Sequence, residues 1–255
     1  MKIAVCVKQI IDTEAVIELD SAGAVIRDGQ TLVIDPYSEF AVEEAVRLKE
    51  AHGGEVVVVT VGDQGCTSAV RHAIAMGADS AILVEDELWQ ERESSVCAAQ
   101  LAEVLKGLAP DLVLGGWRSG DTANAQKMGR IASQLGFPFA NMVTSLEVSG
   151  SDVKAGCEVD DGVVMSSLTL PLVVAVQQGL AEPRYPSVRD VMQARRKPIE
   201  TRPAAELAAN ALAGKVKVVG RALKPARIGG RIVEGAPEDA TKETVRLLKE
   251  EAKVL

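Results

Sequence analysis

The stretch best suited to chemistry runs from Leu114 to Gly129 and reads LGGWRSGDTANAQKMG. It leaves a strand-like run, passes three glycines and enters a helical pattern expected over Thr122 to Leu135. Gly115, Gly116 and Gly120 are expected to allow close approach and positive φ angles. Ser119, Asp121 and Thr122 are cap-type residues at the expected helix start. Backbone N–H groups there, with the helix dipole, form a ready anion site of the kind a nucleotide phosphate needs. Asp121 is acidic, so it suits a helix cap or a ribose hydroxyl better than a phosphate. An ordinary glycine-containing turn is the competing reading. Lys8, at the end of the first apolar run, either faces the same crevice or is simply solvated. Asp35-Pro-Tyr-Ser opens a second helix and either lies over the crevice or serves only as an N-cap.

Several kinds of chemistry lack their residues. No GxGxxG follows the first strand and no GxxxxGK[ST] is present, so the dinucleotide fingerprint and the P-loop are missing. The SGDT at 119–122 lacks the second glycine and the serine of an SGGxDS pyrophosphatase loop. No GxSxG occurs, and two histidines, His52 and His72, are too few for a triad. No nucleophile or acid–base constellation is seen, so no catalytic residue is expected. Cys6, Cys66, Cys97 and Cys157 are widely spaced and read as reduced, mostly buried thiols, with no zinc spacing. Glu158, Asp160 and Asp161 read as solvated carboxylates of a turn rather than a metal site.

The elements that must position these residues follow from bulk and pattern. The chain has 255 residues, 47% hydrophobic and 25% charged, with a formal net charge of −8. That balance disfavours a nucleic-acid partner, and Arg195-Arg196-Lys197 is too small a basic run to supply one. With two Trp, two Tyr and three Phe, the core must be built of Val, Leu, Ile and Ala, as in a parallel sheet covered on both faces. No apolar run approaches the roughly 20 residues of a membrane span, and the N-terminus lacks a secretory pattern. A cytoplasmic protein with no membrane insertion is expected.

Apolar runs at 3–7, 55–61, 80–84 and 111–116 alternate with helical patterns at 36–51, 67–76 and 94–105 and the one entered at Thr122. Asp35 caps the helix begun by Pro36, and Gly53-Gly54 ends it. A β-hairpin is expected over 16–20 and 24–27. The βαβα alternation predicts an α/β fold, doubly wound around a mainly parallel, Rossmann-like sheet, whose ligands sit at the carboxyl ends of the strands. Four strand-like runs beginning at Asn141, Asp152, Gly162 and Pro171 predict a β-rich second half of the same domain, 1–200. Residues 201–255 read as an extended C-terminal tail, helical at 204–213 and 241–255, that docks either on a partner or back on its own domain.

Three stretches together resemble the β subunits of electron transfer flavoproteins: DPYSEFAVEEAVRLKE at 35–50, GGWRSGDTANAQ at 115–126 and LPLVVAVQQGLAEPRYPSVRDVMQARRKPI at 170–199. The last, with its EPRYPS run, carries the resemblance most specifically. The resemblance implies an adenine-nucleotide-binding fold of the α-hydrolase-like superfamily and a partner α subunit that holds most of a shared FAD. It implies AMP or a second FAD in the β chain's own pocket. Carried over by position, that pocket involves Cys6, Asp35, Pro36, Tyr37, Ser38, Val61, Gly116, Trp117, Arg118, Ser119, Gly120, Asp121, Thr122, Ala123, Asn124, Ala125, Gln126 and Lys127. Thr13 falls where some relatives carry an aromatic near the flavin. Bifurcating members read close to AIDGDTAQVGP; this chain shares only GDTA, which leaves AMP and FAD both open.

The segment 182–197 resembles the loop that docks flavin-dependent dehydrogenases such as acyl-CoA dehydrogenases. Val188 stands at its apolar anchor, where relatives often have Leu, while Arg184 and Tyr185 shape the loop. The implied function is electron carriage from such dehydrogenases to a quinone- or ferredoxin-linked acceptor, with no bond chemistry of its own. A stand-alone adenine-nucleotide sensor of the universal-stress type is the alternative.

Overall fold

A computed structural model describes residues 1–225 and 229–255. The strands are β1 Lys2–Cys6, β2 Gln9–Ile11, β3 Leu32–Ile34, β4 Glu55–Gly62, β5 Ser80–Glu85, β6 Leu112–Gly116, β7 Phe139–Ser149, β8 Asp152–Val159, β9 Gly162–Thr169, β10 Leu172–Val176 and β11 Glu200–Pro203. The helices are α1 Pro36–His52, α2 Thr67–Met76, α3 Ser94–Leu108, α4 Lys127–Leu135, α5 Val188–Arg196 and α6 Pro237–Glu250. None is long and apolar enough to cross a membrane, among the described residues.

One sheet of nine strands runs β11-β5-β4-β1-β6-β10-β7-β8-β9. Its pairs are parallel from β11 to β7 and antiparallel from β7 to β9. Period-two alternation divides the core between the two faces. Ile3 and Val5 of β1 pack with α1 and α2 residues such as Val42 and Val70. Ala4 and Cys6 pack with α3 and α4 residues such as Leu101 and Ile131. Strand order reverses at β1, which pairs β4 on one side and β6 on the other. The doubly wound, mainly parallel expectation therefore holds, and the crevice lies beyond the carboxyl ends of β1, β4 and β6.

Several expected elements come out differently. The hairpin over 16–27 reduces to one bridge, Leu19 to Val25, with Val16 exposed. The ladder in this region is β2 with β3, outside the main sheet, because Gln9, Ile10 and Ile11 are buried while 16–25 has little to pack against. The last of the four runs after Asn141, the one beginning at Pro171, does not lie beside β9. As β10 it inserts between β6 and β7, where all five of its residues are buried. The antiparallel extension ends in β9, an open edge on which Val163, Val164 and Met165 are exposed.

The tail also departs from expectation. β11 adds to the sheet beside β5, residues 204–206 and 208–211 form short 3₁₀ turns, and the last helix starts at Pro237, not 241. Glu103 of α3 accepts the N–H groups of Ala208 and Ala209, and Glu93 accepts those of Lys215 and Val216. Beyond that tether Val218, Val219 and Leu223 are exposed, and α6 buries no residue.

Two glycines should respond oppositely to alanine. Gly77 closes α2 at φ 127°, and a Cβ there would sit 3.0 Å from Val46 Cγ1. Gly107 lies inside α3 with nothing within 4 Å of the same position. Gly77→Ala is expected to lower stability by about 1–3 kcal/mol, and Gly107→Ala to raise it by about 0.5–1 kcal/mol. Thermal denaturation that moved both variants the same way would contradict this account.

Glu44 of α1 provides a pH test. Burial pushes its carboxyl up to about 7, with Arg47 opposing and Glu43 adding to the rise. A carboxyl raised in the folded state binds a proton that the unfolded chain has already released. Stability is therefore lost as pH rises from about 4.5 to about 7. Glu44→Gln should remove that slope and gain about 1–3 kcal/mol at pH 8, read as denaturation midpoints across pH 4.5–8.

Candidate functional site

Asp35 is the centre of the crevice. It is 1% exposed, and its two carboxylate oxygens serve two elements. Oδ1 accepts the Tyr37 N–H at 3.0 Å and so caps α1, as the sequence predicts. Oδ2 accepts the Gly120 N–H at 2.7 Å and so holds the loop after β6. Burial is the dominant influence on this carboxyl and moves it above the usual aspartate range, against the two N–H donors and Lys8. The end of β1 joins the same knot: the Lys8 carbonyl accepts the Asp35 N–H at 2.8 Å, and Ser38 Oγ accepts the Lys8 N–H at 3.1 Å.

The Lys8 side chain is not solvated. Its Nζ lies 2.5 and 2.6 Å from the Asp121 oxygens and 3.2 Å from Ser119 Oγ, with 22% of the side chain exposed. Burial and then the charge of Lys127 pull its pKa down, with Asp121 opposing. Burial would raise Asp121, but the Lys8 ammonium and donors from Ser119 and Thr122 outweigh it and hold that carboxyl below the usual range. Asp121 thus neither caps α4 nor begins it. That helix starts at Lys127, because Ala123 and Ala125 adopt φ of 47° and 51° and break the turn expected from Thr122.

The glycines differ from expectation in a related way. Gly115, Gly116 and Gly120 are absent from the residues at positive φ. A Cβ on Gly115 would lie 2.5 Å from Met128 Sδ, one on Gly116 2.5 Å from Tyr37 Cβ, and one on Gly120 3.0 Å from Ile10 Cδ1. Protein packing sets the demand for glycine here, and the left-handed backbone falls to two alanines instead.

Around this knot, Trp117 meets Tyr37 edge-on at 6.0 Å, and the Arg118 guanidinium lies 4.6 Å over Trp117 while donating to the Tyr37 hydroxyl. Residues 121–126 are exposed, with Asn124 donating to Ser94 Oγ at 2.9 Å. Cys6 is buried beneath them; burial pushes its thiol up to about 12, with Lys127 opposing, so it is no nucleophile. Val61 ends β4 in the same cluster as Cys6. Pro36 is the first residue of α1. Every carried-over position from Cys6 to Lys127 therefore lies at the carboxyl ends of β1, β4 and β6 or in the segments that leave them.

The set suits an anionic, hydroxyl-bearing ligand. Two ammonium groups, Lys8 and Lys127, are close enough to oppose each other's charge, and an anion beside them would relieve that repulsion. The hydroxyls of Ser119 and Thr122 flank Lys8. The buried Trp117 Nε1 and Gln100 Oε1 have no hydrogen-bond partner among the described residues.

Sequence reading missed one group. Asp86, 5% exposed after β5, accepts from Arg92 at 2.9 Å, Gln100 at 2.8 Å and the Leu88 N–H. No motif spacing links these residues, so nothing in the sequence announces them. Of the residues carried over to the loop 182–197, Arg184 is tied by Nε to Glu43 at 2.8 Å and by Nη1 to Glu50 at 2.7 Å, while Tyr185 and Val188 are 98% and 82% exposed. Glu158, Asp160 and Asp161 sit at the β8–β9 turn, and no cluster of three metal-ligating side chains occurs among the described residues.

Residues 22–207 match the family described as "Electron transfer flavoprotein domain". Curated relatives named "Electron transfer flavoprotein subunit beta" align along the whole chain. The Bacillus subtilis protein is 38% identical, covering 100% of both chains. The Syntrophomonas wolfei protein is 38% identical over 100% of this chain and 98% of its own. The mouse protein is 34% identical over 100% of this chain and 99% of its own.

Asp35→Asn is expected to test the knot. An amide keeps one acceptor but turns an NH₂ toward one of the two backbone donors, which costs about 1–3 kcal/mol. Denaturation and protease cutting within 117–126 are the measurements. An unchanged midpoint with an intact loop would show that Asp35 does not tie it.

Proposed function

On the premise that this chain belongs to the electron transfer flavoprotein family as a β subunit, we propose that it carries electrons only within a heterodimer. It pairs with an α subunit, buries AMP or a second FAD in its own crevice, and forms part of the wall of a shared FAD. The FAD supplies the electron-accepting chemistry when bound; this chain's residues bind, orient and shield. Donors are flavin-dependent dehydrogenases such as acyl-CoA dehydrogenases, the acceptor is quinone- or ferredoxin-linked, and the setting is the cytoplasm.

The observation that carries this reading is the convergence at Asp35. Cys6, Asp35–Ser38, Val61 and the loop Gly116–Lys127 meet at the strand-order reversal, where open α/β sheets take ligands. Within that arrangement Lys8 and Lys127 would meet the phosphates, and the loop 119–126 would supply hydroxyls and backbone N–H groups. Asp35 and Asp121, already committed to partners, would hold the loop's shape. Residues 1–200 form the nucleotide domain, 182–197 presents the docking segment, and the part of 201–255 beyond β11 and the tether at 216 reaches the α subunit. The exposed valines at 218 and 219 and the wholly unburied α6 favour that last assignment over a self-contained sensor.

Co-expression with an α-type subunit, purification of the complex and denaturation should release FAD and AMP for chromatographic measurement. One FAD and one AMP per heterodimer are expected of a simple carrier, and two FAD of a bifurcating one. A chain that stays monomeric and releases no flavin would overturn the proposal in favour of the nucleotide-sensor reading.

A further inference from the structure

We propose that Arg71 is the positioning residue of the docking helix, fixing the direction in which α5 presents Val188 to a partner. The inference rests on the reading of α5 as the docking segment.

α5 has nine residues and buries only Ala194. A helix so short is marginal by itself, and one buried methyl group does little to hold it. Its apolar residues face outward instead: Val188 is 82% exposed and Met192 47%. Polar ties therefore set its orientation. At the entry, Ser187 and Asp190 form a reciprocal capping box, and the preceding Arg184 is gripped by Glu43 of α1. At the exit, Nη1 of Arg71, from the middle of α2, lies 2.8 Å from the Ala194 carbonyl, 2.9 Å from that of Arg195 and 3.3 Å from that of Lys197.

Those carbonyls close the helix: Ala194's also accepts the Lys197 N–H at 3.3 Å, while those of Arg195 and Lys197 are of the kind that an α-helix leaves without an internal donor. A cation there also complements the negative end of the helix dipole. Lys197 then anchors the chain by donating to the Ala78 and Asp79 carbonyls beyond α2. The helix hangs between two arginines with its apolar face outward. Removing the Arg71 guanidinium leaves the covalent chain, Ala194 and the Lys197 anchor in place but takes away the donor that fixes the last turn of α5, and with it the angle at which Val188 is held.

The test uses the co-purified heterodimer carrying Arg71→Met, Arg71→Lys or Val188→Asp. Met and Arg have similar helix propensity, so α2 itself should persist. Hydrogen exchange of the 188–197 amides is read together with flavin reduction by an acyl-CoA dehydrogenase chosen because it reduces the wild-type complex. Arg71→Met should speed exchange in α5 alone by about tenfold and raise the half-saturating heterodimer concentration by a similar factor, the size of one charge-assisted hydrogen bond. The maximal rate, FAD content and reduction by dithionite should stay at wild-type values. Arg71→Lys, with a shorter donor, should fall between.

Arg71→Met with unchanged exchange and half-saturation, while Val188→Asp weakens docking, would overturn the positioning role and leave the docking reading standing. Val188→Asp without effect would overturn the docking reading and this inference with it. A loss of FAD content in Arg71→Met would mark a general structural role and also overturn the proposal.

Discussion

Everything at the crevice depends on one buried carboxylate having two oxygens. Asp35 uses one to start α1 and the other to hold the loop after β6. Neither job alone would justify a carboxyl group at 1% exposure, since burial disfavours its charge. Both together satisfy it and join segments 85 residues apart in sequence. Lys8 repeats the geometry from the neighbouring strand by gripping Asp121 of the same loop. The loop is thus shaped by two acid contacts before any ligand arrives, which leaves Lys127 and the exposed residues 124–126 outside that shaping. A site arranged beforehand loses less freedom on binding.

The sequence made the fold legible because the core obeys simple periods. Valine runs such as 56–59 announce buried parallel strands, and Asp35-Pro36 followed by Gly53 marks both ends of α1. What escaped was anything decided by contacts between distant segments. The run that becomes β10 reads only as one strand of a β-rich second half, and its pairing with β6 and β7, all five residues buried, is decided by the fold. The start of α4 was misplaced because alanine, the best helix former, takes left-handed conformations at 123 and 125. The hairpin at 16–27 has the right pattern but no surface to bury it. Within the site, the carried-over positions were brought together, yet the roles of Lys8 and Asp121 turn on a side-chain contact across 113 residues that no local pattern reports.

Two regions of the chain hold their neighbours through carboxylates offered to backbone N–H groups. Glu103 and Glu93 tether the tail to α3 as Asp35 tethers the loop. Helix α5 inverts the scheme, with arginine donating to carbonyls at its exit. In each case a side chain on a rigid element fixes a segment with little apolar area of its own. Such segments keep their outward residues free: Tyr185 and Val188 on one side of the molecule's function, Val218 and Val219 on the other.

The outer edge of β9, open among the described residues, has a consequence for how the chain must be kept. Its edge offers a row of free backbone donors and acceptors beside Val163, Val164 and Met165, and such an edge is a template for any passing strand. Left open, an edge of this kind favours pairing between copies of the chain. Keeping that edge from other strands is therefore a matter of solubility as much as of function.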